Sequence, residues 1–196
     1  MLKIVAALLL MWVAPALAQG GDPCTGQQFL SQPRPEGSCN FRPTVYPAPD
    51  QTMHALVFPV GMDLNASPDI ESRVVMRNTD GKLLTSKDFS SPNGTNGFYV
   101  ARAKWSPDSQ FLVFSMSSSG GHSPWSFPTW VFSRDKRVIV SLNDMIDKPT
   151  LSDDFEFTGP HTIKAMTWKA TGSETQVPII LDLAEAMSKP PPRAKK

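Results

Sequence analysis

The sequence predicts an all-β chain of antiparallel β-meanders, two full units and a partial third. Three observations predict it. From residue 44 to residue 183 short apolar runs alternate with turn signals; two pairs of runs are joined by hairpin-type turns; and stretches of the first unit recur in the second. Of 196 residues, 40% are apolar and 19% charged, and 19 are Pro, a composition that argues against coiled coil, collagen and wholesale disorder. A net charge of +1 leaves no basic field to gather nucleic acid.

Residues 1–18 read as a signal peptide. Lys3 supplies the positive start, Ile4 to Val13 is apolar without a charge, and Ala14-Pro15-Ala16-Leu17-Ala18 places small residues just before Gln19. The apolar run is short for a bilayer span and no second long one follows, so the expected product is periplasmic or secreted and does not span a membrane. Residues 19–43 form an arm rich in Pro and Gly. Its Cys24 and Cys39, an even pair in an oxidising compartment, read as one disulfide. Closing a loop of about 15 residues contributes on the order of 3 kcal/mol in the chain-entropy model.

The single β domain, 44–183, follows. Its strand-like runs are Ala55 to Phe58, Arg73 to Arg77, Lys82 to Thr85, Phe98 to Trp105, Phe111 to Phe114, Thr129 to Phe132, Arg137 to Val140, Thr162 to Trp168 and Val177 to Leu183. Asn78-Thr79-Asp80-Gly81 joins the second and third of these, and Ser133 to Lys136 joins the two that flank it. Leu112-Val113-Phe114 maps onto Leu56-Val57-Phe58, Val131 onto Val75 and Val138 onto Leu83, so units of about 44–89 and 98–144 repeat. Ile163 to Trp168 matches Val100 to Trp105 and is expected to open a partial third unit, 162–183. A helical turn at Ala184 to Met187 and a basic, Pro-rich tail close the chain.

Ala103-Lys104-Trp105-Ser106-Pro107-Asp108-Ser109-Gln110-Phe111-Leu112-Val113-Phe114-Ser115 resembles the W-S-P-D core of TolB-type and WD-repeat-type β-propeller blades. Pro107 presets φ at a tight corner and Asp108 closes it on its own backbone, which is what such a turn needs. The resemblance covers about 140 residues and is specific over roughly 15. It implies meanders of propeller-blade type that are not a closed propeller by themselves, because closure takes at least about four blades. Unclosed edges need a cover, a charge or a partner. The partner implied is an envelope protein or a second copy, met through sheet edges.

Candidate chemistry is sparse. Gly121-His122-Ser123-Pro124-Trp125 approaches the nucleophile elbow of hydrolases, with Ser123 and His122 as the catalytic candidates, but Trp125 replaces the last Gly and Phe127-Pro128 opposes a following helix. Asp63, Asn65, Ser67, Asp69 and Glu71 alternate as the ligands of a calcium loop do, although Pro68 takes the turn Gly position and Val74 the last ligand position. No other cofactor motif occurs. Trp105 and Trp168 read as core; Trp125 and Trp130 are the candidates for partner or ligand contact. The acidic run Asp144, Asp147, Asp153, Asp154 and Glu156 reads as a connection to the third unit, and His54, His122 and His161 as isolated. The expected function is a non-catalytic binding module; a small secreted hydrolase and a calcium-stabilised module are the alternatives.

Overall fold

Where apolar residues alternate or run continuously, the chain is extended. A computed structural model describes residues 43–60, 71–92, 94, 96–120, 127–170 and 173–189. Three antiparallel sheets result. The first is a meander of β1 (Thr44–Pro47), β2 (Met53–Pro59), β3 (Ser72–Asn78) and β4 (Leu83–Asp88); the second repeats it with β5 (Phe98–Trp105), β6 (Phe111–Ser118), β7 (Thr129–Ser133) and β8 (Val138–Ser141). The third has β9 (Thr150–Phe157), β10 (Thr162–Trp168) and β11 (Gln176–Asp182), in the order β11-β10-β9. Two short helices occur among the described residues, α1 (Leu142–Ile146) and α2 (Leu183–Ser188). The architecture is all-β, two complete meanders and a three-stranded third, and among the described residues no sheet is closed into a barrel.

The second sheet is buried on both faces, which explains why Phe111 to Phe114 lacks polar alternation. Leu112, Phe114, Met116 and Phe132 pack against Ala55, Val57, Val74 and Met76 of the first sheet. Phe111, Val113 and Val131 point the other way, onto Phe155, Ile163 and Ala165 of the third sheet and Leu183 and Met187 of α2. Each such large side chain taken out of water contributes about 1.5–3 kcal/mol.

The repeat is visible in backbone detail. Ala48 N donates to Met53 O and Gln51 N to Ala48 O; Ser106 N donates to Phe111 O and Ser109 N to Ser106 O. Gln51 and Ser109 both take left-handed φ values, 57° and 62°. The degraded Ala48-Pro49-Asp50 turn is thus the same turn as Ser106-Pro107-Asp108. Both expected hairpins form, the first with Gly81 at φ 83°.

Several details differ from the sequence reading. Val131 pairs with Val113 as Val74 pairs with Val57, so Val74, not Val75, is its counterpart. The third unit begins at Thr150: β5 lies between β1 and β9, which makes β9 the first strand of its sheet and β10 the second. Asp153, Asp154 and Glu156 therefore sit in a strand and not in a linker. Phe155 and Phe157 supply its apolar face, and acidic outward neighbours hid that alternation. Trp168, at the end of a central strand, is not the equivalent of Trp105, which is only 7% exposed and donates its Nε1–H to Tyr46 O at 2.8 Å. A second helix also exists. Ser141 caps α1 by accepting from Asp144 N, and Asp147 ends it in a left-handed conformation.

Candidate functional site

Antiparallel pairing throughout returns the chain to alternate ends of the sheets. Turns after β1, β3, β5, β7 and β9 gather at one end and are short. Connections after β2, β4 and β6 gather at the other and are long, spanning 60–71, 89–97 and 119–128. Hydrogen bonds between sheets keep the ends in step, from Asp50 N to Ser109 Oγ at the first and from Ser119 Oγ to Glu71 at the second. Long loops held on a rigid frame are where recognition concentrates.

Glu71 organises the long-loop end. It is 0% exposed, and its carboxylate accepts from Ser91 N (2.7 Å), Ser91 Oγ (2.6 Å), Gly97 N (2.5 Å) and Ser119 Oγ (2.9 Å). A buried carboxylate persists only when its oxygens are satisfied in this way. Gly97 is required by the close approach: a Cβ there would lie 2.6 Å from both Glu71 Cδ and Phe89 O. Beside it the buried Arg73 donates Nε and a terminal nitrogen to Asp88 Oδ2, at 3.1 and 2.9 Å. Asp88 Oδ1 in turn accepts from Ser90 N at 2.9 Å. One acidic residue thus ties the stems of all three long connections.

The far stem of 119–128 is anchored separately. Thr129 Oγ1 lies 2.9 Å from Thr150 Oγ1, Asn143 Oδ1 accepts from Thr150 Oγ1 at 3.0 Å and from Thr129 N at 3.3 Å, and Phe127 N donates to Thr150 O at 2.9 Å. The loop carrying His122, Ser123 and Trp125 is therefore held at both stems. Those three residues, Asp63, Asn65, Ser67 and Asp69, and Cys24 and Cys39 lie outside the described residues. Of the calcium set only Glu71 is described, and its oxygens already face four protein donors. Trp130 is half-buried in the first core, edge-to-face with Phe89 at 5.2 Å, and the Lys87 ammonium lies 4.3 Å from its ring centre. Its ring is in use as packing.

The short-turn end is tied by charge. The Arg134 guanidinium pairs with Asp50 and donates to Thr52 Oγ1, and its hydrogen bond holds the Asp50 carboxyl below the usual carboxylate range, with the Thr52 N–H adding to the effect against slight desolvation. Asp108 Oδ1 accepts from Ser106 Oγ and from Gln110 N, while the Ser106 hydroxyl oxygen accepts from Phe111 N at 2.9 Å. His161 reaches from the β9–β10 turn to lie between Asp108 and Asp182, the second of which caps α2 by accepting from Glu185 N at 2.9 Å. Sequence spacing could not pair these three, since they come from three connections. The one signal was Asp182, three residues before Glu185, in a capping pattern.

The two outer sheets also present apolar surface. Val45, Pro47, His54 and Leu56 line an open depression of about 670 Å³ on the first sheet, and Ile180 on the third is 66% exposed. On β10 and β11, Met166 pairs with Pro178 and Lys164 with Ile180 on one outward face. Pro178 has no N–H, which blunts β11 as an edge for strand addition.

No family model and no curated protein matches the chain. Among solved structures, a protein of Clostridium novyi NT provisionally described as a conserved lipoprotein is similar at 12% identity and TM-score 0.40, covering 72% of this chain and 86% of that one. That degree of likeness supports no argument about activity. No helix among the described residues is long and apolar enough to cross a membrane.

Proposed function

We propose that this is an exported β-repeat protein that works in the cell envelope as a non-catalytic binding module, with blades of the TolB or WD-repeat type. The observation that carries the reading is the asymmetry of the two ends. One end is a set of short, ion-paired turns that frames the sheets. The other gathers three long connections on the buried Glu71 and pins both stems of the loop that bears Trp125. Export rests on residues 1–18, and the partner is an envelope protein or a second copy of the chain.

The test pairs affinity capture from envelope extract with sizing of the purified protein. The expected result is a defined complex that Trp125→Ala weakens while the melting temperature stays unchanged. A protein that stays monomeric and captures nothing sinks the reading. So does ester or peptide turnover lost on Ser123→Ala, which would instead establish a hydrolase.

A further inference from the structure

We infer that His161 is a pH-sensitive latch that fastens α2 and the third sheet to the second sheet. Its Nδ1 lies 3.3 Å from Asp108 Oδ2 and its Nε2 lies 3.1 Å from Asp182 Oδ2. Ionised carboxylates only accept hydrogen bonds, and a neutral imidazole carries one N–H. Only the imidazolium, with a proton on each nitrogen, satisfies both aspartates together; the neutral ring must leave one nitrogen lone pair facing a carboxylate. Protonation of a single ring therefore decides whether Asp108 and Asp182 are both held by it or only one of them is.

The surroundings favour such a role. Asp108 belongs to the β5–β6 turn, where Ser106 Oγ and Gln110 N already hold its other oxygen. Asp182 is the N-cap of α2, and Leu183 and Met187 of that helix are buried in the second core. The Phe111 ring meets the imidazole edge-on at 6.5 Å. Other charged groups nearby are engaged elsewhere: Glu185 pairs with Lys189 at 2.8 Å, and Lys136 donates to Met187 O. The latch is partly open to water, His161 being 36% exposed, so protons reach it without unfolding.

The direction follows from the charges. Docking is strongest where the ring is charged and both aspartates are ionised. It weakens when the ring loses its second proton, because one nitrogen lone pair then faces a carboxylate. On the Asp182 side the ionised form is favoured, because the Glu185 N–H, aided by the His161 charge and against slight desolvation, holds that carboxyl below the usual carboxylate range.

The experiment is amide hydrogen exchange of Leu183 to Ser188 in the full mature protein between pH 5.5 and 8, normalised by intrinsic exchange rates, together with ring-nitrogen chemical shifts of His161. The expected result is a doubly protonated ring at pH 5.5 and a several-fold loss of α2 protection by pH 8, with a flat profile for His161→Gln and a shallower one for Asp108→Asn. A profile in His161→Gln with the native slope overturns the latch, as does a ring that is neutral at pH 5.5. Partner capture and Trp125→Ala are separate readouts, so failure of the latch and failure of the binding role are distinguishable.

Discussion

The two ends of the sheets solve one problem in opposite ways. Each must hold neighbouring sheets in register. The short-turn end does so with half-exposed polar contacts, the Arg134–Asp50 ion pair and the His161 ring set between Asp108 and Asp182. The long-loop end does so with one fully buried carboxylate that accepts from four donors. Exposed pairs are screened and individually weak, whereas a buried acceptor cannot be removed without orphaning its donors. The short-turn end should therefore tolerate mutation and respond to pH; the long-loop end should be intolerant and hold its geometry.

The largest expected effect tests that contrast directly. Glu71→Ala removes the acceptor shared by Ser91, Gly97 and Ser119, the Gly97 N–H bond being fully buried, and is expected to cost about 3 kcal/mol, read as a lowered urea midpoint. A loss below 1 kcal/mol would erase the difference between the ends. Gly97→Ala comes next, at about 1–3 kcal/mol, because its Cβ would press on Glu71 Cδ and the Phe89 carbonyl oxygen. Arg134→Ala, at the other end, should cost no more than about 1 kcal/mol.

That smaller loss has a pH signature. Asp50 is held below its ordinary range when folded, so the Arg134 pair contributes at neutral pH and is lost as pH falls through and below the carboxylate range. Native and Arg134→Ala midpoints should converge in acid, and parallel curves would show the pair to be inert. The smallest expected effect is none. Because Glu71 is filled by protein donors, melting with calcium and then with chelator should give one midpoint, and a calcium-dependent rise would mean that the 60–71 connection rearranges to bind the ion.

The sheets were legible because their cause is local. Alternation in Thr162 to Trp168, the Asp80-Gly81 turn and the Ser106-Pro107-Asp108 corner each act within a few residues. The strand Thr150–Phe157 was not legible, since its acidic outward face outweighs Phe155 and Phe157 in any short window. The candidate site was legible only as two suspect loops. That Glu71 belongs with Ser91, Gly97 and Ser119 rather than with Asp63 and Asp69 depends on contacts between strands far apart in the chain.

By itself the sequence determined where the chain extends and turns, because φ preferences and side-chain alternation are properties of neighbouring residues. Only the tertiary structure decided which sheet β9 opens, that Phe111 to Phe114 is covered on both faces, and that one histidine sits between two aspartates. Those outcomes depend on how three sheets stack, and the energy of stacking belongs to pairs of distant residues that no short stretch of chain contains.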